Sequence, residues 1–318
     1  MRFRWPSWRG VPRRFLVGRS TSSPDERDSN AAPEFLFEQR PVSTSCDDRT
    51  QGEPRKPGFR LVAGREPPYR RVRREEIAFS RTQVPALTIT ADPSQSIEVT
   101  GHGQEEWSMR FCAYGDGDSE SEAHDHLQVV SLVRFGATVS LNGIGLNRAR
   151  EAGGHLFVQA PADAPITVHA SFTPVSIRNM TGPVRVTAIH ARAKVVNTTG
   201  EVDANAFVVD FAGAQGAVIL SAEAEINLKL TSVKFGGALT AWAQQAVRVL
   251  VPPGFQTPFQ AVVSCPQDFM CRTEFAANKR LERSGELCVY TYPGDGSAPP
   301  EDVHLRSEHA MVVIDTGV

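Results

Sequence analysis

The sequence predicts an all-β protein: a β-solenoid, or stacked β-repeat, behind a small β-rich lead-in and a disordered N-terminal arm. Three observations predict it. From about residue 84 apolar and polar residues alternate with period two, the mark of half-buried strands. Between residues 165 and 263 turn glycines return roughly every 18 residues, at Gly182, Gly200, Gly216, Gly237 and Gly254. Residues 1–83 instead show neither hydrophobic period and are rich in Pro and charge. The boundaries that follow are 1–83 for the basic, Pro-rich arm, 84–150 for a lead-in with one short helix, and 151–318 for the repeat domain with a C-terminal cap.

The arm holds most of the charge asymmetry. Residues 1–80 carry 17 of the 34 Lys and Arg but 11 of the 36 Asp and Glu, so they are net +6 in a chain whose net charge is −2. Stretches such as TSSPDERDSNAAPEF lack the apolar residues needed to offset the entropy of ordering. The run Tyr69-Arg70-Arg71-Val72-Arg73-Arg74 reads as a solvated flank, with contact to anionic partners as its functional alternative. The first twenty residues are Arg-rich, and their apolar pieces are broken by Arg, Pro and Gly. The expectation is therefore no signal peptide, no transmembrane helix and a cytoplasmic location by default, or the cell envelope if the start is misassigned. A nearly neutral chain also excludes a broadly basic nucleic-acid binder.

In the lead-in, Leu87-Thr88-Ile89-Thr90 and Ser96-Ile97-Glu98-Val99-Thr100 alternate as strands, with a turn at Asp92-Pro93-Ser94. Trp107 to Ala113 alternates again. Ser119 and Glu122 stand at capping-box spacing, which predicts a helix over about 120–128. Segments 128–135 and 137–141 read as paired strands around Gly136, followed by an Asn142-Gly143 turn.

In the repeats, Ile166, Val168 and Ala170 share a face, as do Val184, Val186 and Ala188, then Val218 and Leu220, then Leu239 and Ala241. The returning strands offer Val175 and Ile177; Ala193 and Val195; Phe207, Val209 and Phe211; Ile226, Leu228 and Leu230; Val247, Val249 and Val251. A single strand cannot keep such a face dry. Stacking turns these sets into continuous buried columns and pairs the backbone groups between strands. A corner glycine at each turn is expected to supply positive φ. Asn179-Met180-Thr181-Gly182 and Asn197-Thr198-Thr199-Gly200 are near copies. Both match N-x-S/T, and turn chemistry accounts for them. Strands near 261–265, 287–292, 303–306 and 311–315 are expected to cap the stack, with an irregular stretch over 266–284.

The rungs ending in NMTG, NTTG, AQG and KFGG, the following VRVLVPPGF and the closing VHLRSEHAMVVID resemble the bacterial β-repeat family known as "putative adhesin", a domain of unknown function. The upstream segment LTITADPSQSIEVTGHGQEEWSMRFCAYGDGDSESEA resembles that family's lead-in, and the likeness covers about residues 84–318. The resemblance implies a non-enzymatic structural or surface-interaction role and supplies no catalytic residues.

The residues themselves offer few sites, and none is assigned as catalytic, cofactor-binding or metal-binding. Asp116-Gly117-Asp118-Ser119-Glu120 with His124, Asp125 and His126 is the densest set of ligand-type residues. It misses the calcium-loop spacing, and residues two apart on a helix point about 200° apart, so it reads as a polar turn. His102 and His169 are single residues in strand contexts. Outward Glu201, Asp203, Asp210, Glu223 and Glu225, with Arg185, Arg192 and Lys194, are the candidates for carboxylate chemistry, and Glu223 and Glu225 share a strand face. Among the five cysteines Cys46 and Cys112 stand alone, and a Cys265–Cys271 or Cys265–Cys288 disulfide is expected only after export. No cofactor is expected. The partners are an unknown protein or glycan surface, with self-association through the solenoid ends. The leading function is an adhesin-like interaction module; the alternatives are a bactofilin-like polymerising scaffold inside the cell and a β-helix carbohydrate-active enzyme.

Overall fold

The computed structural model describes residues 46, 69–91, 96–142, 152–264, 280–284, 287–292, 303–307 and 311–316. All of them lie in one compact unit, Gln39–Val318. The chain is mostly β. The rest of the arm, the turn at Asp92-Pro93-Ser94, Gly143 of the Asn142-Gly143 turn, and Cys265 and Cys271 lie outside the described residues, as does the Cys288 side chain.

The first strand, β1 (Tyr69–Ser80), corrects the arm boundary, since residues 69–80 are strand. Its charges hide the pattern: only Phe79 is fully buried, and the strand is held from one side by its partner. β2 (Leu87–Ala91) and β3 (Ser96–His102) fall where alternation places them. β4 (Glu106–Gly117) runs antiparallel to β1, from Tyr69 opposite Gly117 to Ser80 opposite Glu106. The helix α1 (Glu120–Gln128) starts at Ser119, whose hydroxyl accepts from the Glu122 amide at 3.2 Å. The Glu122 carboxylate reaches back to the Asp118 amide at 2.8 Å. β5 (Ser131–Phe135) and β6 (Thr138–Asn142) form an antiparallel hairpin. β7 (Ala152–Pro161) lies antiparallel to β4 and parallel to β3.

Next come β8 (Ile166–Ser171) and β9 (Val175–Arg178). Three long strands follow, β10 (Val184–Val196), β11 (Val202–Gly213) and β12 (Gln215–Leu230). β13 (Gly236–Ala243) and β14 (Ala246–Val251) complete the central part. The end is built from β15 (Phe259–Ser264), β16 (Arg280–Ser284), β17 (Leu287–Tyr292), β18 (Val303–Ser307) and β19 (Met311–Thr316).

The pairing forms two parallel ladders that share the three long strands. In the first, β2, β8, the front halves of β10, β11 and β12, then β13 and β18 lie side by side. Leu87, Ile166, Val184, Val202, Val218, Leu239 and Val303 thereby form one inward column, every member buried. In the second ladder Ile97, Val175, Ala193, Val209, Ile226 and Val247 do the same. Burying a whole valine or leucine side chain stabilises by about 1.5–3 kcal/mol, so these columns dominate the fold.

The lead-in does not stand apart from the repeats. Through β2 and β3 it lies in register with β8 and β9, and one buried cluster runs from Phe79 to Leu305. Phe207 also departs from expectation. Alternation puts it inward, but the register slips between Ala206 and Val208, and Phe207 is 43% exposed. A bulge adds a residue and turns the side-chain order over locally.

Candidate binding face

Because the inward columns consume alternate residues, the others stand in outward columns. On the first ladder Thr90, His169, Thr187, Asn205, Ser221 and Trp242 occupy successive strands at one register. On the second, Asp210 is only 6% exposed; it accepts from Arg192 Nη1 at 3.1 Å and from Asn227 Nδ2 at 2.9 Å. Arg248 lies 2.9 Å from Glu225, and Arg185 lies 3.4 Å from Asp203. Each pair bridges two neighbouring strands. The exposed ones are worth little individually, about 0–1 kcal/mol, and act as lateral register marks.

The sequence-predicted carboxylates therefore divide. Asp203, Asp210 and Glu225 are each matched to an arginine. Glu201 and Glu223 are exposed, and Glu223 falls where β11 and β12 slip in register. Lys194 is half-buried opposite Asp210.

The ligand-type residues near the helix are used structurally. Asp116 is 2% exposed and takes both prongs of Arg70, at 2.6 and 2.7 Å. His126 Nδ1 donates to the Asp116 carbonyl. His124 and Asp125 are exposed. Among the described residues no group of three or more His, Cys, Asp and Glu is arranged to hold a metal. The arginines of the 69–74 run are likewise paired: Arg70 with Asp116, Arg71 with Glu120, Arg73 with Glu75 and Arg74 with Glu76. Arg74 and Arg110 hydrogen-bond the Glu76 carboxylate and hold it below its ordinary pKa.

The corner glycines do two different jobs. Gly216, Gly237 and Gly254 have positive φ, at 130°, 130° and 75°. Gly182 and Gly200 do not, which corrects the single explanation offered for all five. A Cβ on Gly182 would sit 2.3 Å from the Asp163 carbonyl oxygen, and one on Gly200 would sit 2.3 Å from that of Gly182. Close approach of one turn to the next requires glycine there. The left-handed residues at these corners are Asn179 and Asn197, with φ of 57° and 53°.

The opposite corner, between the two ladders, is built otherwise. Phe172 and His190 take φ of 54° and 53°, and their rings stand 4.9 Å apart. The Phe172 amide donates to the Ile189 carbonyl at 2.8 Å. Phe172, Ile189 and Phe207 are 45%, 48% and 43% exposed. Beside this corner the outer face of the first ladder sinks into an open hollow of about 250 Å³. It is lined by the buried Ala91, Leu141 and Ala170, the exposed Ile189, and the polar Thr90, Asn142, His169, Ser171 and Thr187. His169, read from sequence as a lone strand residue, is thus part of a concave polar surface. Phe172 and His190 were not singled out, because residue type does not announce a left-handed backbone.

The cysteines are also paired unexpectedly. Cys46 and Cys112 form a disulfide with Cα atoms 5.5 Å apart, packed against Phe157. Cys112 is buried in β4 and Cys46 is buried against it, a pairing that spacing alone could not reveal.

No family model matches the chain, and no curated protein matches it. Among solved structures it is similar to a putative cell adhesion protein from Clostridium sporogenes, with 7% identity and a TM-score of 0.30 over 77% of this chain and 99% of that one. A putative adhesin from Bacteroides fragilis gives 7% and 0.30 over 78% and 97%. A putative lipid binding protein from Parabacteroides distasonis gives 6% and 0.26 over 77% and 96%. TM-scores of this size are too low to assign a fold or a role.

Proposed function

We propose that the chain is a non-enzymatic, adhesin-like interaction module whose two parallel ladders are the walls of a β-solenoid. The observation that carries this reading is the division of labour in the strands. Inward residues form unbroken apolar columns from Leu87 to Val303. Outward residues form polar columns, and Asp203, Asp210 and Glu225 are matched to arginines on adjacent strands. A scaffold of this kind holds a regular outer face rigid, which suits recognition of a surface. The Cys46–Cys112 bridge supports operation outside the reducing cytosol, since structural disulfides persist in oxidising compartments. The reading therefore takes the cell-envelope alternative over the cytoplasmic default. No helix among the described residues is long and apolar enough to cross a membrane.

The test is location. Intact cells are treated with protease and then fractionated. Loss of the protein from intact cells is expected; a cytoplasmic, protease-protected product would sink the surface reading. An enzymatic role is tested separately on polysaccharides, where the reading expects no turnover to be lost on Glu223→Ala or Glu225→Ala.

A further inference from the structure

The corner occupied by Phe172 and His190 contains a cost that the turn itself does not require. A non-glycine residue in the left-handed region is disfavoured by roughly 1–2 kcal/mol, least for Asn. At the corners that carry Asn179 and Asn197 the chain uses the inexpensive residue. At the facing corner it uses a phenylalanine and a histidine on neighbouring strands, with the phenylalanine ring half open to solvent. Strain kept where a cheaper residue fits the same backbone points to what the side chain does.

The hollow next to these rings shows what they serve. It begins one residue before each of them, at Ser171 and Ile189. Among the described residues its polar lining consists of hydroxyls, one amide and one imidazole, with no Asp, Glu, Lys or Arg. The lining residue Thr90 shares a hydroxyl–hydroxyl bond of 2.8 Å with Ser140 on the neighbouring strand. Described walls that present hydroxyls, an amide and an imidazole suit a neutral ligand. Hydroxyl and amide groups beside the exposed, apolar Ile189 suit a ligand with both hydroxyl edges and C–H faces. The volume is below the roughly 300–1,000 Å³ of clefts for drug-sized molecules and matches a single small ring. An exposed aromatic face, negative at its centre, attracts polarised C–H groups.

We propose that this hollow and the adjoining Phe172–His190 corner form a binding site for a neutral pyranose ring of a glycan. Thr90, Asn142, His169 and Thr187 meet its hydroxyls, and the corner ring covers a C–H face. The assignment deepens the interaction-module reading and rests on it, since a sugar held without turnover is a ligand of such a module.

The test uses saturation-transfer difference NMR on the purified full chain with methyl β-D-galactopyranoside, methyl β-D-glucopyranoside and methyl α-D-mannopyranoside. Saturation transfer to at least one of the three is expected. Phe172→Asn, which suits the left-handed backbone better, is expected to keep or raise the melting temperature and weaken binding roughly tenfold. Thr187→Val, which removes a hydroxyl and keeps the branched shape, is expected to weaken it also. Absence of transfer from all three sugars, or transfer unchanged in both variants, overturns the site and leaves the surface reading standing. Release of methanol in the same tube, lost in both variants, upholds the sugar site and overturns the non-enzymatic reading.

Discussion

A single backbone atom decides whether the corner at residue 200 closes. Gly200 has ordinary φ, and what it lacks is a side chain: any Cβ would overlap the Gly182 carbonyl. Gly200→Ala is therefore expected to destabilise by about 1–3 kcal/mol, the usual cost of overpacking, read as a lower midpoint in chemical denaturation. Gly103, where a Cβ meets nothing within 4 Å, is the matched control. Glu76 gives a second prediction. Its folded pKa is depressed by Arg74 and Arg110, so its contribution is present above the ordinary carboxylate pKa and lost as pH falls through the folded value. The group is exposed, so the effect is small. Glu76→Gln is expected to flatten the acid side of a melting-temperature profile, and an unchanged profile would remove Glu76 from the account.

At the scale of the element, packing outweighs charge. Leu228 is fully buried in the second ladder between Phe211 and Val249. Leu228→Ala is expected to cost about 2–5 kcal/mol, whereas Arg185→Ala, at an exposed pair, is expected to cost less than about 1 kcal/mol. Equal losses in urea denaturation would contradict the primacy of the inward columns. The same contrast explains what was legible in advance. Strands β2, β3, β8 and β9 could be read because inward and outward residues differ in type at every step. Helix α1 could be read because Ser119 and Glu122 announce their own hydrogen bonds. Strand β1 could not, since Arg73 and Glu75 are partly covered without becoming apolar. The exposure of Phe207 could not be read either, because a bulge is a backbone event, and an alternating pattern conveys no warning of it. The candidate sugar site was legible only in pieces: His169 was noticed, but its neighbours in the hollow come from segments as distant as Thr90 and Thr187.

At the scale of the whole molecule, one apolar cluster joins the lead-in to the repeats, so residues 84–150 and 151–318 are expected to unfold together. Coincident transitions by circular dichroism and tryptophan fluorescence would show it, and two separated transitions would restore an independent lead-in. The link at Cys46–Cys112 spans 66 residues of sequence. Closing a loop of that length contributes about 2–5 kcal/mol, so Cys112→Ser is expected to lower the denaturation midpoint. A non-reducing digest of the native protein should yield a joined peptide pair containing Cys46 and Cys112. The bridge also changes what damage means. If a protease severs the backbone once anywhere between those two cysteines, both fragments travel together as one covalent particle. Shedding the leading fragment then takes two events, a cut and a reduction, and neither is sufficient without the other.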